Sequence, residues 1–396
     1  MSKKTIKQLD LKGRRVLMRV DFNVPIKNGE IKDDTRIRAS LPTIHYALDH
    51  GATSVVLCSH LGRPKGKPNP EYTLKPVAAR LGDLLKRPVV FAEDCVGEPA
   101  KRAIAQADSN GVVLLENLRF HADEEKNDPG FATQLAELAD IYVDDAFGSA
   151  HRAHASTEGV VRFVKEAAAG LLMADELEHL GRVLQRPDHP FVAILGGAKV
   201  SDKLEVIENL LPRVDALLIG GAMAYTFFKS RSLPVGRSLV EDDLLDAARQ
   251  ITERAQSRGL RFELPVDHVV APKLEAGAPA ETLAVGDAAI GDRMGLDIGP
   301  KTIAAYRSVI AGAKTVIWNG PMGVFEIDAF AQGTIEVAKA VAAVNGTTVI
   351  GGGDSISAVA KAGVTDRITH ISTGGGASLE FLGGRELPGV AVLPDA

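Results

Sequence analysis

The sequence predicts an α/β protein of two lobes, each a doubly wound parallel β-sheet flanked by helices, with a hinge helix joining them. Three observations support this fold class. Short apolar runs recur in both halves of the chain, helical stretches separate them, and a leucine-bearing helical segment divides the two sets. The 396 residues suffice for two to three domains, since a domain averages about 150 residues.

The apolar runs are predicted to be the strands. They are apolar along nearly their whole length rather than at alternate positions, which is typical of strands buried on both faces of a parallel, Rossmann-like sheet. In the first half the runs cover residues 15–20, 54–59, 88–91, 111–115 and 141–143. In the second half they cover residues 191–195, 216–219, 315–318, 347–350 and 368–372. Amphipathic stretches such as residues 73–86 lie between the runs and predict the flanking helices.

The expected joint between the lobes is the stretch 167–190. It begins with Ala-Ala-Ala-Gly, continues as a helix with leucines on one stripe, and ends at Pro187 and Pro190. We therefore expect an N-terminal lobe over residues 1–170, a hinge helix over 171–190 and a C-terminal lobe from residue 191 to residue 379.

The composition excludes several classes of protein. The net charge is −5, whereas nucleic-acid-binding proteins usually carry a basic excess, so no nucleic-acid partner is expected. The uncharged runs are shorter than the roughly 18 residues of a membrane span, and no signal peptide is seen at the start. The chain has two cysteines, and Cys58 ends an apolar run, so we expect a buried thiol there, a reducing cytoplasmic setting and no membrane partner.

Charged and polar residues follow the strands of the first half. Ligands of open parallel sheets bind at the carboxyl ends of the strands, so these residues are the candidates for a ligand site. They are Asp21, Phe22, Asn23, Arg36, His60, Leu61, Gly62, Arg63, Arg119, His151 and Arg152. A guanidinium can hold an oxyanion through two parallel hydrogen bonds. A single arginine is more often a surface charge. The repetition of arginines after successive strands, however, predicts a site for a phosphate and a carboxylate.

Glycines follow the strands of the second half. The segments are Gly196-Gly197-Ala198-Lys199, Gly220-Gly221-Ala222, Asn319-Gly320-Pro321, Gly351-Gly352-Gly353-Asp354 and Thr373-Gly374-Gly375-Gly376. Glycine lets backbone N–H groups approach an oxyanion, and a helix N-terminus adds its dipole. One Gly-Gly pair is usually a tight turn, but five at equivalent positions predict a phosphate-binding edge. Neither the P-loop pattern nor G-x-G-x-x-G occurs, which argues against a P-loop enzyme and less strongly against a nicotinamide-dependent oxidoreductase.

Two features favour an enzyme over a non-catalytic sugar-phosphate or nucleotide sensor. Lys199 and Lys203 are expected one turn apart on the same helical face, where an ammonium can follow a transferring phosphoryl group. Asp354 is expected at the start of a helix. It can serve there as the N-cap residue, as a Mg²⁺ ligand at nucleotide phosphates, or in both roles. No His-x-x-x-His or Cys-x-x-Cys pair occurs, so a zinc site is not expected and histidines such as His121 and His268 are predicted to be surface or core residues.

Seven motifs resemble those of phosphoglycerate kinases. They are RVDFNVP at 19–25, SHLGRP at 59–64, NLRF at 117–120, AHRAH at 150–154, GGAKVSDK at 196–203, WNGPMGVFE at 318–326 and GGGDS at 351–355. The resemblance runs in order from residue 5 to residue 390, and the first and sixth motifs are highly specific. The sequence departs from the family's usual pattern at Ala174, where lysine is common, and at Gly383-Gly384-Arg385.

The resemblance implies a reaction and its partners. Phosphoglycerate kinases transfer a phosphoryl group reversibly from 1,3-bisphosphoglycerate to ADP, giving 3-phosphoglycerate and ATP, with Mg²⁺. The chain is thus expected to be a cytoplasmic monomer with small-molecule partners, whose lobes close by a hinge. The resemblance also implies that the tail, residues 380–396, packs back on the first lobe.

The resemblance further assigns roles to residues. All eleven candidates after the first set of strands would hold the glycerate and its phosphate. The nucleotide would be held by Lys199, Lys203, Gly220, Gly221, Gly295, Asn319, Glu326, Gly352, Gly353, Asp354 and Ser355. Glu326 would accept hydrogen bonds from the ribose hydroxyls, and Asp354 would bind the metal. The region of Gly220–Gly221 and Gly295 would form the wall of the adenine pocket. Arg36, Lys199 and Gly375 are the implied catalytic residues, of which the first two would stabilise the phosphoryl group in transfer.

No general base is expected in this chemistry. Carboxylates titrate near about 4, so the attacking carboxylate or diphosphate oxygen is already deprotonated at neutral pH. What remains is to bring several anions together, and positioning and electrostatic stabilisation do most of that work in phosphoryl transfer.

Overall fold

The computed structural model describes residues 3–107 and 109–396. It divides into two compact units, one of Met1–Glu178 with Glu386–Ala396 and one of His179–Arg385. Residues 1 and 2 of the expected N-terminal lobe lie outside the described residues. The expected lobe bounds at residues 170, 190 and 379 stay a prediction.

The first unit is built on a parallel sheet that confirms the predicted fold class. Its strands are β1 Arg15–Arg19, β2 Ile26–Lys27, β3 Glu30–Ile31, β4 Ser54–Cys58, β5 Val89–Phe91, β6 Gly111–Leu114, β7 Ile141–Asp144 and β8 Glu166–Ala169. Six of them pair in the order β5-β6-β4-β1-β7-β8, all parallel, and β2 with β3 forms a short antiparallel hairpin. The five predicted runs agree with the strands to within one residue at each end.

Strand β8 was not predicted, because its three alanines were assigned to the joint. Alanine has a low strand propensity, and at the edge of the sheet its small side chain needs little space. Pairing with β7 over Ile141–Asp144 nevertheless holds this segment in the sheet. The joint therefore begins only at the helix that follows.

Helices cover this sheet and supply its core. They are α1 Thr35–Asp49, α2 Lys75–Leu85, α3 Gly97–Gln106, α4 Ala122–Glu125 and α5 Pro129–Ala136, followed by α6 Leu171–Gln185, which begins in the first unit and ends in the second. The predicted helix over 73–86 is α2, and its apolar stripe packs with α1 and the strands in one buried cluster. Burial of each such aliphatic side chain stabilises the unit by about 1.5 to 3 kcal/mol.

The second unit contains a second parallel sheet and a smaller antiparallel one. The strands are β9 Phe191–Leu195, β10 Ala216–Ile219, β11 Arg261–Glu263, β12 Asp267–Ala271, β13 Glu281–Ala284, β14 Met294–Ile298, β15 Thr315–Asn319, β16 Thr347–Gly351 and β17 His370–Ile371. The parallel sheet has the order β11-β10-β9-β15-β16-β17, and β12 pairs with β13 and β14 in antiparallel fashion. The antiparallel sheet and β11 were not predicted, because polar residues interrupt these short strands, as in Arg-Phe-Glu of β11 and Glu-Thr-Leu-Ala of β13, so they lack the continuous apolar pattern.

The helices of the second unit follow most of the parallel strands. They are α7 Leu204–Leu210, α8 Met223–Ser230, α9 Leu245–Ser257, α10 Pro300–Ala311, α11 Gln332–Ala342, α12 Gly353–Lys361 and α13 Gly376–Leu382. The tail carries α14 Pro388–Ala391 and belongs to the first unit, where Lys4 N–H donates to the Pro394 carbonyl at 2.9 Å and Gly389 N–H to the Ala150 carbonyl at 2.9 Å. None of the helices in the described ranges is long and apolar enough to span a membrane.

The strand order locates the crevice of the second unit. Counted within the parallel sheet, its order is 3-2-1-4-5-6, the arrangement of dinucleotide-binding sheets. The order reverses between β9 and β15, and loops leaving the carboxyl ends of these neighbours diverge to opposite sides. A ligand site is thus expected at the glycines that follow β9, β10 and β15.

Candidate active-site residues

The predicted cationic residues of the first unit gather at the carboxyl ends of its strands. We call this group the arginine rim and define it as Asp21, Asn23, Arg36, His60, Gly62, Arg63, Arg119, His151 and Arg152. Its members come from the loops after β1, β4, β6 and β7 and from the first turn of α1. Parallel pairing of β1 with β4 and β7 brings these loops to the same edge.

An ion pair orients Arg36 in the rim. Its Nη1 donates to Asp21 Oδ1 at 3.1 Å, to Asp21 Oδ2 at 3.0 Å and to the Asn23 carbonyl at 3.3 Å. These bonds engage one corner of the guanidinium, and the side chain is 39% exposed. The remaining N–H groups are therefore available to an anionic ligand.

Gly62 connects the loop after β1 to the loop after β6. Its N–H donates to Asn23 Oδ1 at 3.0 Å, and its carbonyl accepts from Arg119 Nη1 at 2.9 Å. The residue has a φ of +61°, and a Cβ there would lie 2.3 Å from the ring of Tyr72. Only glycine fits this position, so the predicted ligand-contacting glycine also has a structural task.

Arg119 is held inside the rim rather than on its surface. Burial and then the charge of Arg152 lower the pKa of Arg119 to about 10, so the guanidinium remains charged at neutral pH. Arg152 Nε donates to His151 Nε2 at 3.2 Å. Arg63 is exposed. Two like-charged guanidiniums side by side make a local concentration of positive charge that an anion would relieve.

Phe22 and Leu61 have a different place from the other predicted substrate residues. Both side chains lie in the hydrophobic core of the first unit, at 0% and 4% exposure. Phe22 N–H donates to Ser59 Oγ at 2.9 Å, and Leu61 N–H donates to Asn117 Oδ1 at 3.2 Å. Their side chains thus support the rim by packing, and a ligand contact through them stays a prediction.

In the second unit the glycines allow three loops to pack backbone against backbone. A Cβ at Gly196 would lie 2.1 Å from the Pro321 carbonyl oxygen, and one at Gly320 would lie 2.2 Å from the Gly196 carbonyl oxygen. A Cβ at Gly221 would lie 2.4 Å from the Gly197 carbonyl oxygen. Glycine is required here for close approach.

The same packing shows that the glycine N–H groups do not have the expected role of binding an oxyanion. Gly197 N–H donates to the Pro321 carbonyl at 3.0 Å, and Gly221 N–H to the Met322 carbonyl at 3.0 Å. Gly220 N–H donates to the Leu195 carbonyl at 2.9 Å. These donors are already satisfied within the protein, so they do not serve an oxyanion. The glycines after β9 and β10 instead shape the wall of a cavity.

The first turn of α12 retains free backbone donors. The helix begins at Gly353 after Gly352, which has a φ of +92° and is the N-cap residue. N–H groups in a first helical turn have no intrahelical partner, and they favour an anion. Asp354 lies in this turn and is not the N-cap, so that expectation was wrong. Ser355 is buried, and its Oγ accepts from Gly320 N–H at 2.7 Å.

Lys199 and Lys203 do not share a helical face, contrary to expectation. Helix α7 begins at Leu204, and residues 201–203, which precede it, form turns instead of helix. Lys199 is exposed, whereas Lys203 is 8% exposed and its Nζ donates to Asn319 Oδ1. Burial lowers the pKa of Lys203, while the carboxylates of Asp202 and Asp354 oppose that shift.

A cavity of about 230 Å³ lies at the carboxyl ends of these strands. Four predicted nucleotide residues line it, namely Gly221, Gly295, Glu326 and Asp354. Four more wall residues lie in the predicted glycine segments, namely Gly197, Ala198, Ala222 and Pro321. The other wall residues were not predicted to bind a ligand: Ala224, Tyr225, Phe228, Pro265, His268, Leu296, Asp297, Ile298, Met322, Gly323 and Val324. The predicted residues Lys199, Lys203, Gly220, Asn319, Gly352, Gly353 and Ser355 lie outside this lining, in the loops and first helical turns around it.

Tyr225 and His268 form the buried end of the cavity wall. Tyr225 is 5% exposed, and its hydroxyl is 2.8 Å from His268 Nδ1. Burial lowers the pKa of His268 to about 4, so the imidazole is neutral. A Cβ at Gly295 would lie 1.5 Å from the Tyr225 hydroxyl oxygen. The spacing of Tyr225 and Phe228 after Gly221, on one face of α8, was the available sequence signal.

Gly375 lies at the start of α13 with a φ of +52°, and a Cβ there would meet no atom within 4 Å. Its backbone conformation favours glycine. A catalytic role for it stays a prediction.

The structure also brings together Asp94, Cys95 and His121, whose ligand atoms lie within 4.8 Å of one another. His121 Nε2 is 2.7 Å from Asp94 Oδ1, and this hydrogen bond raises the pKa of His121. Burial raises the pKa of the Cys95 thiol well above its usual range, so the thiol is protonated. His121 was predicted to be a surface or core residue, and the structure places it half-buried, paired with Asp94 beside a buried thiol.

Known proteins resemble the chain over its whole length. The family model described as phosphoglycerate kinase matches residues 6–385. The chain is 61% identical over 398 residues to the phosphoglycerate kinase of Solibacter usitatus, covering 99% of this chain and 100% of the relative. It is 58% identical over 401 residues to that of Koribacter versatilis, covering 99% of each.

Solved structures agree with this assignment. The phosphoglycerate kinase of Coxiella burnetii superposes with a TM-score of 0.89 at 42% identity, covering 98% of each chain. The phosphoglycerate kinase of Pyrococcus horikoshii superposes with a TM-score of 0.85 at 36% identity, again covering 98% of each chain. The chain therefore belongs to the phosphoglycerate kinase family, the phosphotransferases of the ATP-generating reaction of glycolysis.

Proposed function

We propose that the arginine rim binds the phosphate and carboxyl ends of 3-phosphoglycerate and 1,3-bisphosphoglycerate, and that the glycine-lined cavity of the second unit binds ADP or ATP. The observation that carries the assignment is the chemical contrast between the two ligand surfaces. Guanidiniums converge on one, whereas glycines, a helix N-terminus and a carboxylate meet at the other. A small polyanion suits the first, and a flat base with a phosphate tail suits the second.

Arg36, Arg119 and Arg152 supply the charge for the glycerate ligand. Arg36 is oriented by Asp21 through Nη1, which leaves a fork for an oxyanion. Arg119 and Arg152 are close enough for their charges to repel, so an anion between or beside them is favourable. Arg63 and His151 complete the rim, as the family resemblance implies.

The cavity wall at Gly221 and Gly295 is proposed to bind the adenine ring, because the absence of a side chain at these positions lets neighbouring groups, such as the Tyr225 ring at Gly295, pack into the wall without filling the cavity. Glu326 lines the same cavity and is exposed, so its carboxylate can accept hydrogen bonds from ribose hydroxyls. The first turn of α12, at Gly352 and Gly353, then faces the phosphates with free N–H donors.

The residues present fit a magnesium ion carried by the nucleotide. Mg²⁺ in such sites is bound by one or two carboxylates together with substrate phosphates, and Asp354 is an exposed carboxylate at the cavity lining beside this first turn. When bound, Mg²⁺ would neutralise phosphate charge. Asp354 would then orient the phosphate tail, and its carboxylate also interacts electrostatically with the buried ammonium of Lys203.

The chemistry needs no general base, and we propose a direct in-line transfer. The attacking oxygen of ADP is ionised at neutral pH, and burial together with the surrounding arginines lowers the pKa of His60 well below its usual range. His60 is therefore a poor proton acceptor. Arg36 and Lys199 are proposed to stabilise the transferring group once the lobes have closed, with Gly375 allowing close backbone approach.

The test is a coupled assay of ATP formation from ADP, Mg²⁺ and 1,3-bisphosphoglycerate. We expect activity that requires all three, and loss of most turnover in Arg36→Lys, because a point charge cannot reproduce the guanidinium fork. Arg38→Lys is the matched control, since Arg38 lies on the same helix but pairs with Asp34 outside the rim. Equal turnover of both variants would reject the role of Arg36, and absence of ATP formation by the unmodified chain would reject the function.

We also propose that the enzyme is a cytoplasmic monomer. Both cysteines are buried free thiols, as suits a reducing compartment. Light scattering at working concentration would show a mass of about 42 kDa for a monomer, and a mass twice that value would reject it.

A further inference from the structure

Arg19 lies next to the arginine rim but was assigned no part in it. It is the last residue of β1, and its side chain is fully buried. Nε donates to Ser156 Oγ at 2.8 Å, Nη1 to the Val20 carbonyl at 2.5 Å, and one further bond joins Nη2 to His60 Nδ1 at 3.1 Å. One buried guanidinium therefore connects the ends of β1 and β4 with the loop after β7.

The charge of Arg19 is compensated within the first unit. Ser156 Oγ donates to Glu124 Oε1 at 2.5 Å, and Ser156 N–H donates to Glu124 Oε2 at 3.0 Å. Glu124 is fully buried, so its carboxylate and the guanidinium of Arg19 balance one another through the serine hydroxyl. Burial of the two charges carries a desolvation penalty, and separating them would destabilise the fold further, so the guanidinium is kept in one orientation.

The bond to His60 allows only one placement of the imidazole proton. A guanidinium has five N–H donors and no acceptor, so Nη2 must be the donor and Nδ1 must carry a lone pair. A neutral imidazole with a free Nδ1 lone pair has its proton on Nε2. An imidazolium would place an N–H against the N–H of Arg19 and would lose the bond.

We propose that Arg19 is a positioning residue of the transfer reaction, which holds His60 as the neutral Nε2–H tautomer so that it donates a hydrogen bond to an oxyanion of the glycerate ligand. This rests on the proposed binding of that ligand to the arginine rim. Among the described residues Nε2 has no hydrogen-bond partner, while the backbone of the following residues, Leu61 and Gly62, is fixed by Asn117 and Asn23. The ring thus has one nitrogen fixed by the protein and one left for the ligand.

The charges around His60 act in the same direction. The groups that face it are Arg19 from β1, Arg36 from α1, Arg119 from the loop after β6 and Arg152 from the loop after β7, with Glu124 behind Arg19. All four neighbouring cations oppose protonation. His60 therefore adds donor capacity to a rim that is already rich in positive charge, without adding another charge and without accepting a proton from the substrate.

Nitrogen-15 NMR of the ligand-free protein with labelled histidine tests the tautomer directly. The His60 signals are assigned with His60→Gln. We expect a protonated Nε2, an unprotonated Nδ1 and no titration of the ring between about pH 5 and pH 8, the range in which an ordinary histidine titrates. A proton on Nδ1, or an imidazolium at neutral pH, would overturn the proposal.

The double variant Arg19→Met with Glu124→Gln tests the cause. It removes the charges of Arg19 and Glu124 together, leaves Asp144 of β7 as the remaining buried acid beside them, and keeps an acceptor for Ser156, which limits the damage to folding. We expect His60 to populate both tautomers and to begin to titrate. Ser156→Ala is the matched control, because it removes a bond of Arg19 but leaves Nη2 on His60, and the His60 spectrum should not change. An unaltered His60 spectrum in the double variant would mean that another group determines the tautomer, and it would overturn the role of Arg19.

Kinetics then connect the tautomer to the ligand. Loss of the positioned donor should raise KM for 3-phosphoglycerate about ten- to a hundredfold, as for a lost hydrogen bond to a charged group, and leave KM for ATP unchanged. Equal effects on both KM values would indicate a merely structural role. An active enzyme with the wrong His60 tautomer would reject this proposal alone, whereas an inactive enzyme with the expected tautomer would reject only the proposed function.

Discussion

Gly295→Ala should close the cavity of the second unit to nucleotide. The new Cβ would lie 1.5 Å from the hydroxyl oxygen of Tyr225 and 2.1 Å from its Cζ. Tyr225 is buried and bound to His268, so the ring has no free space behind it. It must move toward the cavity of about 230 Å³ that it now borders.

The size of the effect follows from these distances. Carbon atoms pack at about 3.5 Å or more, so the ring must shift by about 2 Å. Overpacking of this kind costs about 1 to 3 kcal/mol in stability, and loss of the hydrogen bond to His268 costs about 1 kcal/mol more. A similar loss of binding free energy would raise KM for ATP about ten- to a hundredfold.

The assay measures both KM values and the free energy of unfolding. KM for 3-phosphoglycerate should not change, because the arginine rim lies in the other unit. Gly181→Ala is the control, since a Cβ at Gly181 meets no atom within 4 Å. Alanine is the better helix former by about 1 kcal/mol, so this change in α6 should be neutral or slightly stabilising.

A normal KM for ATP in Gly295→Ala would refute the reasoning. It would mean either that the tyrosine ring moves away from the cavity at no cost or that the nucleotide base binds elsewhere. The double variant Gly295→Ala with Tyr225→Leu separates the two, because a smaller side chain relieves the clash. Recovery of ATP binding in the double variant would confirm that steric closure was the cause.

Three further predictions concern charge. Lys199→Ala should lower kcat far more than it raises either KM, because its ammonium is expected to act on the transferring group. The side chain is exposed, so its removal should leave the fold intact, and a near-normal kcat contradicts that role. Asp354→Asn should raise the Mg²⁺ concentration needed for half-maximal rate about tenfold, through loss of a carboxylate ligand, and an unchanged Mg²⁺ dependence would place the ion elsewhere. Burial lowers the pKa of His268 to about 4, below its usual value of about 6.5 in the unfolded chain. The unfolded state therefore binds a proton first as pH falls, so stability is full above about pH 6.5 and is lost by about 1 to 3 kcal/mol toward pH 4. Acid titration of the free energy of unfolding should show a smaller loss in His268→Gln, and an identical loss would exclude His268 as the source.

The strand pattern was available from the sequence because it reflects burial alone. A strand covered on both faces by helices is largely apolar, whatever its neighbours are, and the runs that became β1, β4, β9 and β10 are buried at every position except Arg15 of β1. Parallel pairing then brings the carboxyl ends of neighbouring strands to one edge. The grouping of Arg36, Arg119 and Arg152 followed from that rule without any knowledge of contacts.

The antiparallel strands of the second unit escaped prediction for a related reason. Strands β12 to β14 are short and combine polar with apolar residues in no regular period, both in β12, which is mostly buried, and in β13, which is mostly exposed. Gly295 lies in β14, and only its pairing with β12 brings it to the ring of Tyr225. The family resemblance pointed to this glycine, but the pattern of residues around it did not.

The sequence by itself determined the fold class, the family and the edge of each sheet at which ligands bind. Only the tertiary structure decided which groups at those edges are free. It showed that the N–H groups of Gly197 and Gly221 bond to neighbouring loops, that Lys203 is buried against Asn319, and that Arg19 Nη2 lies at hydrogen-bond distance from His60 Nδ1. The physical reason is that burial patterns are local properties of a segment, whereas a donor is occupied or free according to partners that lie 41 to 124 residues away in the chain.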